Sequence, residues 1–297
     1  MTTTTKESDV SVLPTPAATV ALDRAERSRP ASRRRRQPRF WRVREEIPRW
    51  LEVTLIVASL LAPLAIWSLL AYTNSVNPIF LPSPSAVGGA ASDMLRSGDL
   101  LRDTSASTTR VFLGFGIAVA ISVPLGLAMG TFRSIQSLFE PAIGLIRYAP
   151  ATAFVPLLLI WLGLGEPPKI ALVVIGTVFF NTLMTANVVW QVPSELIKVS
   201  RTLGAGSGSV FRKVIFPYAV PGIFDAMRVN LAAAWNLIVV AELIAADSGL
   251  GFRIVRAQKF LHIDQIFVAL VVIGLLGVIS DLILRTLRNR LAPWSQE

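Results

Sequence analysis

Four carboxylates sit within or beside the apolar runs of this 297-residue chain: Asp225, Glu242, Asp264 and Asp281. Two such groups on one cleft could divide the work of a general acid and a general base. They lack the company that this chemistry needs. There is no cysteine, which removes thiolate nucleophiles, thiolate zinc sites, iron–sulfur clusters and disulfides. The single histidine, His262, excludes any two-histidine metal motif. No G-x-x-x-x-G-K-[ST] segment occurs, so the chain has no phosphate-cradling loop for ATP. No nucleophile–base pair or metal cluster accompanies the acids, and no catalytic or metal-ligating residue is assigned. An intramembrane enzyme resting on these acids alone stays open as an alternative.

The remaining chemistry is charge and polarity where lipid is expected. The chain is 53% apolar and only 16% charged, against about 25% charged in an ordinary soluble chain. That balance excludes a typical soluble enzyme and points to a polytopic membrane protein. A span takes roughly 20 mostly apolar residues. Six runs qualify: 51–72, 111–130, 141–162, 170–190, 222–246 and 267–283. The third is interrupted by Pro150 and Pro156, the fifth carries Asp225, Arg228 and Glu242, and the last is short, with a start as early as His262 open to it. An all-α architecture follows, because a barrel would show roughly ten-residue alternating strands instead.

An ionisable side chain in lipid usually faces protein or water. Glu242 and Trp235, seven residues apart, share a helix face, with Asn236 nearby and Asn181 in the preceding span. Two readings are open. These residues line a passage for a solute, or they join helices by hydrogen bonds, with Asn230 and Thr185 among them. Arg147 and Arg228 lie nearer the span ends, where snorkelling is cheap, and either could instead attract an anion. Gly126 and Gly130 form the one GxxxG within the spans, a close-packing signal.

Orientation comes from the basic residues. Segment 1–50 holds 12 Lys/Arg, including Arg33 to Arg36. With both termini inside, 20 Lys/Arg face the cytoplasm and seven face out, and the tail carries the difference. The tail reads as a disordered cytoplasmic anchor touching anionic lipid, with nucleic-acid binding as its rival. Outside lies 73–110, broken by Pro78, Pro82 and Pro84, with a helix expected over 86–101 lying on the membrane. Residues 111–291 form the core, and 292–297 a short C-terminal tail.

Between the fourth and fifth spans, 193–217 reads as helix, glycine break, helix. Leu196, Val199 and Leu203 share one face. Gly204 suits a left-handed stop, and the second helix carries Val210, Phe211 and Val214 before Pro217. Such an apolar hairpin edged by Lys198, Arg201, Arg212 and Lys213 either docks a partner or lies against the bilayer.

Gly204, nine residues, then Val214-Ile215-Phe216-Pro217 resembles the "EAA" loop of ABC-importer permeases. Ala234-Trp235, Ala241-Glu242 and Ser248-Gly249-Leu250-Gly251 resemble the nitrate/sulfonate/bicarbonate (taurine-type) class. So do Phe80-Leu81-Pro82-Ser83-Pro84, Arg147-Tyr148-Ala149-Pro150, Pro156-Leu157 and Trp161 to Gly165. The resemblance spans about 80–291. It implies a type I importer permease fold acting as a dimer with an identical or paralogous subunit. It also implies two ATP-binding subunits that carry the ATP and Mg, so that this chain binds no cofactor itself. An extracytoplasmic solute-binding protein would deliver the solute at the bacterial cytoplasmic membrane. Nucleic acid has no place in that scheme. In the family the loop docks into the ATPase, which would assign Leu196, Lys198, Val199, Arg201, Leu203, Gly204, Ala205, Phe211, Val214 and Pro217 to coupling. The family's Glu-Ala-Ala is here Lys198-Val199-Ser200, a charge reversal at the docking surface.

Overall fold

A computed structural model describes residues 47–73 and 75–295. The expected basic tail, Arg33 to Arg36 included, lies outside them. The chain divides into two compact units, 1–63 and 64–297. The described part of the first is the start of α1 (Arg49–Tyr72), a run of apolar side chains with Pro63 at its end. Everything below concerns the second unit.

The described residues are helical throughout, without a strand. Helix α2 (Pro84–Arg96) starts where Ser83 Oγ accepts from Ala86 N and Pro84 fills the first turn. Gly98, at φ 77°, turns the chain into α3 (Asp99–Thr131). Next come α4 (Arg133–Ile146), a 3₁₀ turn (Ala151–Phe154) and α5 (Val155–Leu162). Helix α6 (Glu166–Trp190) leads to α7 (Ser194–Thr202) and α8 (Ser207–Val210). A π-type stretch (Phe211–Ile215) joins α8 to α9 (Phe216–Ala245), and α10 (Leu250–Lys259) and α11 (Ile263–Leu291) complete the fold. Five helical segments are long and apolar enough to cross a membrane, and the pair α4 and Ala151–Leu162, bent by 80°, makes a sixth if taken as one broken span.

Three expectations change. The third span, expected over 141–162, starts at Arg133 and breaks over 147–150, because Pro150 disfavours helix in the residue before it. Helix α2 ends at Arg96, not 101, and does not rest its apolar side on lipid. Val87, Ala90 and Met94 pack instead with Leu250, Val268 and Ala269. The last helix begins at Ile263, beside the expected early start at His262, and runs beyond 283 to Leu291. Its final turns carry charge into water, with Arg288 reaching Asp225 at 3.6 Å.

The centre is α3 against α6, the most extensive pairing in the fold. The two run parallel. Gly114 meets Val173, Gly126 meets Thr182 and Thr185, and Gly130 meets Ala186 and Val189. The GxxxG pair therefore marks the contact at which two backbones come closest. Helix α9 packs antiparallel on α6 through Asn230 and Asn181, and α11 packs on α9 through Arg228–Asp281 and Trp235–Ser280.

Candidate functional site

Two sites sit at opposite ends of this bundle. The first is the 193–217 segment, between the C-terminus of α6 and the N-terminus of α9. Helix α7 buries none of its residues. Leu196, Val199 and Leu203 stand 45%, 58% and 81% exposed. Ile197 turns the other way, onto a core of Leu127, Val189, Val192, Val210 and Ile215. Gly204 adopts φ 82°. Ala205 N donates to Ser200 O at 3.0 Å and Gly204 N to Arg201 O at 2.9 Å. These two bonds form a Schellman stop, which satisfies the last carbonyls of α7 and reverses the chain. Lys198 and Arg201 are exposed beside the apolar face.

The second helix of the hairpin differs from the expectation. Val210 is buried, and Phe211 and Val214 are half-buried against the same core. Phe216 N bonds back to Phe211 O, an i→i+5 turn that continues the helix into α9. Pro217 follows the π-type stretch as the second residue of α9, inside a continuing helix, instead of ending the hairpin. The exposed apolar surface is thus α7, and Phe211 supports it from below.

At the other end is a charged core that the sequence reading only half found. Glu242 is 1% exposed. Its carboxylate accepts from Arg110 Nη1 at 2.7 Å, from Ser107 Oγ at 2.9 Å and from Gly251 N at 2.9 Å. Arg110 also donates to both oxygens of Glu166, to Ser248 O at 2.7 Å and to Ser248 Oγ at 3.0 Å. Next to it, Arg253 Nε donates to Asp103 at 2.7 Å and Nη1 to Asp99 at 3.1 Å. Gly249 N donates to Asp103, and Leu250 N to Ser107. Burial works against the Arg253 guanidinium, but hydrogen bonds to Asp99 and Asp103 outweigh it and hold its pKa above the ordinary value.

This geometry explains Ser248-Gly249-Leu250-Gly251. The segment is a cradle for one carboxylate. Gly249 has φ 116°, and a Cβ there would run into the Glu242 carboxylate. A Cβ on Gly251 would meet Val239 O at 2.6 Å and Glu242 Cβ at 2.7 Å. Glycine is required at both positions for close approach, and at the first for its dihedral as well.

The residues read as a passage are thus separated. Glu242 belongs to the charged core, three residues from the end of α9. Trp235 is buried, its Nε1 on Ser280 Oγ at 3.3 Å. Asn181 is buried, donating to Ser122 Oγ at 2.6 Å and accepting from Asn230. Arg228 is clamped by Asp281 at 2.6 and 2.8 Å, with Asp225 at 3.3 Å. Arg147 is exposed, its guanidinium over the Tyr148 ring at 4.9 Å. Asn236 is exposed on α9 beside Ala232 and Ala233. Among the described residues, no cluster of acids or histidine suits a metal ion.

The missed residue is Arg110. It falls one position before the apolar run 111–130. Asp99, Asp103, Ser107 and Arg110, at spacings of four, four and three, are a polar stripe on one helix face and a readable signal.

Residues 122–293 match the family described as binding-protein-dependent transport system inner membrane component. A probable ABC transporter permease protein of Brucella abortus is 39% identical, over 77% of this chain and 91% of its own length. The taurine transport system permease protein TauC of Escherichia coli is 35% identical over 83% of this chain and 91% of its own. The nitrate import permease protein NrtB of Synechocystis is 31% identical over 65% and 70%. In fold, the chain resembles the inward-facing MetNI methionine ABC transporter, with TM-score 0.54 and 19% identity over 67% of this chain and 96% of that one.

Proposed function

Since this chain belongs to the family of binding-protein-dependent transport system inner membrane components, and is a permease component of an ABC importer, we propose how it works and on what. It passes a small solute of the nitrate or sulfonate kind into the cell. It pairs with a second permease subunit and takes solute from an extracytoplasmic binding protein. Two separate ATP-hydrolysing subunits, which hold ATP and Mg, dock on 193–217. ATP favours the closed ATPase pair, and that preference biases the permease between inward- and outward-open states. This chain makes and breaks no covalent bond. Asn236, on the exposed small-residue face of α9, is the candidate lining residue that the geometry leaves open to a passage. Arg147 is the other exposed polar candidate.

One observation carries the coupling assignment. Helix α7 holds three large apolar side chains in the open, outside every long apolar helix, on a backbone fixed by a Schellman turn. Val199→Asp is expected to abolish co-purification of the ATPase and solute uptake while leaving the permease in the membrane. Gly204→Val is expected to do so in part. A Cβ there meets open space, so its cost is the left-handed dihedral alone, about 1–2 kcal/mol. Full ATPase capture and uptake in both variants would remove the loop from the mechanism.

Orientation gives a second prediction. Both termini are proposed to face the cytoplasm, on the charge balance of the sequence. Ser97 and Ser207 are exposed at opposite ends of the bundle, and the native chain has no cysteine to interfere. Ser97→Cys should react with an impermeant thiol reagent added outside intact cells, and Ser207→Cys should stay protected. The reverse pattern would invert the topology.

A further inference from the structure

Glu166 stands apart from the groups that hold it. The side chains of Arg110 and Lys169 are 2% and 3% exposed, and that of Glu166 is 53% exposed. Arg110 presents Nε and Nη2 to the two Glu166 oxygens, and Lys169 Nζ lies 3.2 Å from Oε1. One carboxylate therefore receives a guanidinium fork and an ammonium from inside, and meets water on its other side.

The charges sharpen the contrast. Arg110 and Lys169 bring two positive charges. Glu242, fully buried, balances one of them. Among the described residues, the second is balanced only by Glu166. Were Glu166 to turn outward, the pocket would hold one net positive charge, matched by a monoanion. A guanidinium fork suits two oxygens of a planar or tetrahedral oxyanion. Glu166 is also placed to move. It opens α6 directly after Gly165 at φ 122° and close to Gly163 at φ 75°.

We propose that the Glu166 carboxylate is a resident stand-in, and that Arg110 and Lys169 form an exchange site for the oxyanion group of a monoanionic solute, nitrate or sulfonate in type. The assignment of that anion as solute rests on the importer reading above, under which this end of the bundle is the extracytoplasmic mouth. Arrival of the anion releases Glu166, exchanging an internal carboxylate for an external oxyanion at constant charge. No unpaired buried cation appears at any stage, which is what makes the exchange affordable.

The test uses the full chain purified in detergent, with thermal melting followed in a background of bulky gluconate at fixed ionic strength. Sodium nitrate or methanesulfonate is titrated in. Glu166→Ala leaves the fork and the ammonium open, so either anion should raise its melting temperature saturably, with half-saturation about tenfold or more below that of the native chain. Glu166→Gln, which keeps an acceptor for Arg110, should show the same response and serves if the alanine variant does not accumulate. Asp93→Ala, an exposed acid elsewhere, should respond as the native chain does. A variant series whose melting ignores both anions, or in which all members respond alike, would overturn the site. The same preparations are tested for ATPase capture. Intact capture with no anion response defeats this site alone. An anion response with no capture defeats the proposed docking of the ATPase subunits and leaves the anion site standing.

Discussion

Arg110→Met should cost about 3–5 kcal/mol of stability, the range for breaking a buried charge pair from one side. The reason lies in what is left behind. Glu242 would remain buried with one serine hydroxyl and one backbone N–H, having lost its ion pair with Arg110. Glu166 can turn to water, but Glu242 cannot. The Ser248 carbonyl and hydroxyl would lose their donor as well, loosening the segment that leads into α10. The check is the melting temperature and yield of the purified chain, compared with Arg110→Met combined with Glu242→Gln. The double variant removes both charges and should recover much of the loss. Equal loss in the single and double variants would show that Arg110 acts by shape and not by charge.

A smaller but still large loss is expected from Gly126→Val, for a reason that involves no charge. A Cβ at that position would sit 2.6 Å from Thr182 O and 2.6 Å from Thr185 Cβ. The first neighbour is backbone and cannot rotate away. Helices in lipid gain little from the hydrophobic effect and associate through close packing, so separating α3 from α6 weakens the central contact directly. Overpacking of this kind costs about 1–3 kcal/mol, occasionally more. Gly116→Val is the matched control, on the same helix with open space around its Cβ. If both variants melt alike, the effect belongs to the β-branched residue in the helix and not to the α3–α6 contact.

Much of this was legible in the sequence, and the omissions have physical causes. Hydropathy located 51–72, 111–130 and 170–190 because lipid demands apolar side chains over a fixed length. It cut α3 short at 111 and α11 short at its C-terminal end, since a helix does not stop where the bilayer does. Asp99 to Arg110 continue α3 for three turns beyond its apolar part. Gly204 was readable as a left-handed stop because few other residues accept that dihedral. Phe211 is half-buried against the same core as Val210, and the i→i+5 turn at which it stands leaves no mark on composition. Glu242 drew attention as a carboxylate in an apolar run. Its partner Arg110, 132 positions earlier, did not, because charge at the edge of a span is ordinary. Only the fold shows that these two edges meet.

The π-type stretch at Phe211–Ile215 has a mechanical meaning. By continuing α8 into α9 it yields a single helix from Ser207 to Ile244, 38 residues long, or about 57 Å at 1.5 Å per residue. One tip packs under α7, on the side of Ile197, and the other holds Glu242 in its glycine cradle. Such a rod works as a lever. Pivoting at its midpoint, a push of about 5 Å at the tip under α7 tilts it by roughly 10° and swings the Glu242 tip about 5 Å the opposite way, given that length. That swing exceeds the reach of any hydrogen bond around Glu242, so the cradle must either travel with the lever or let go of it.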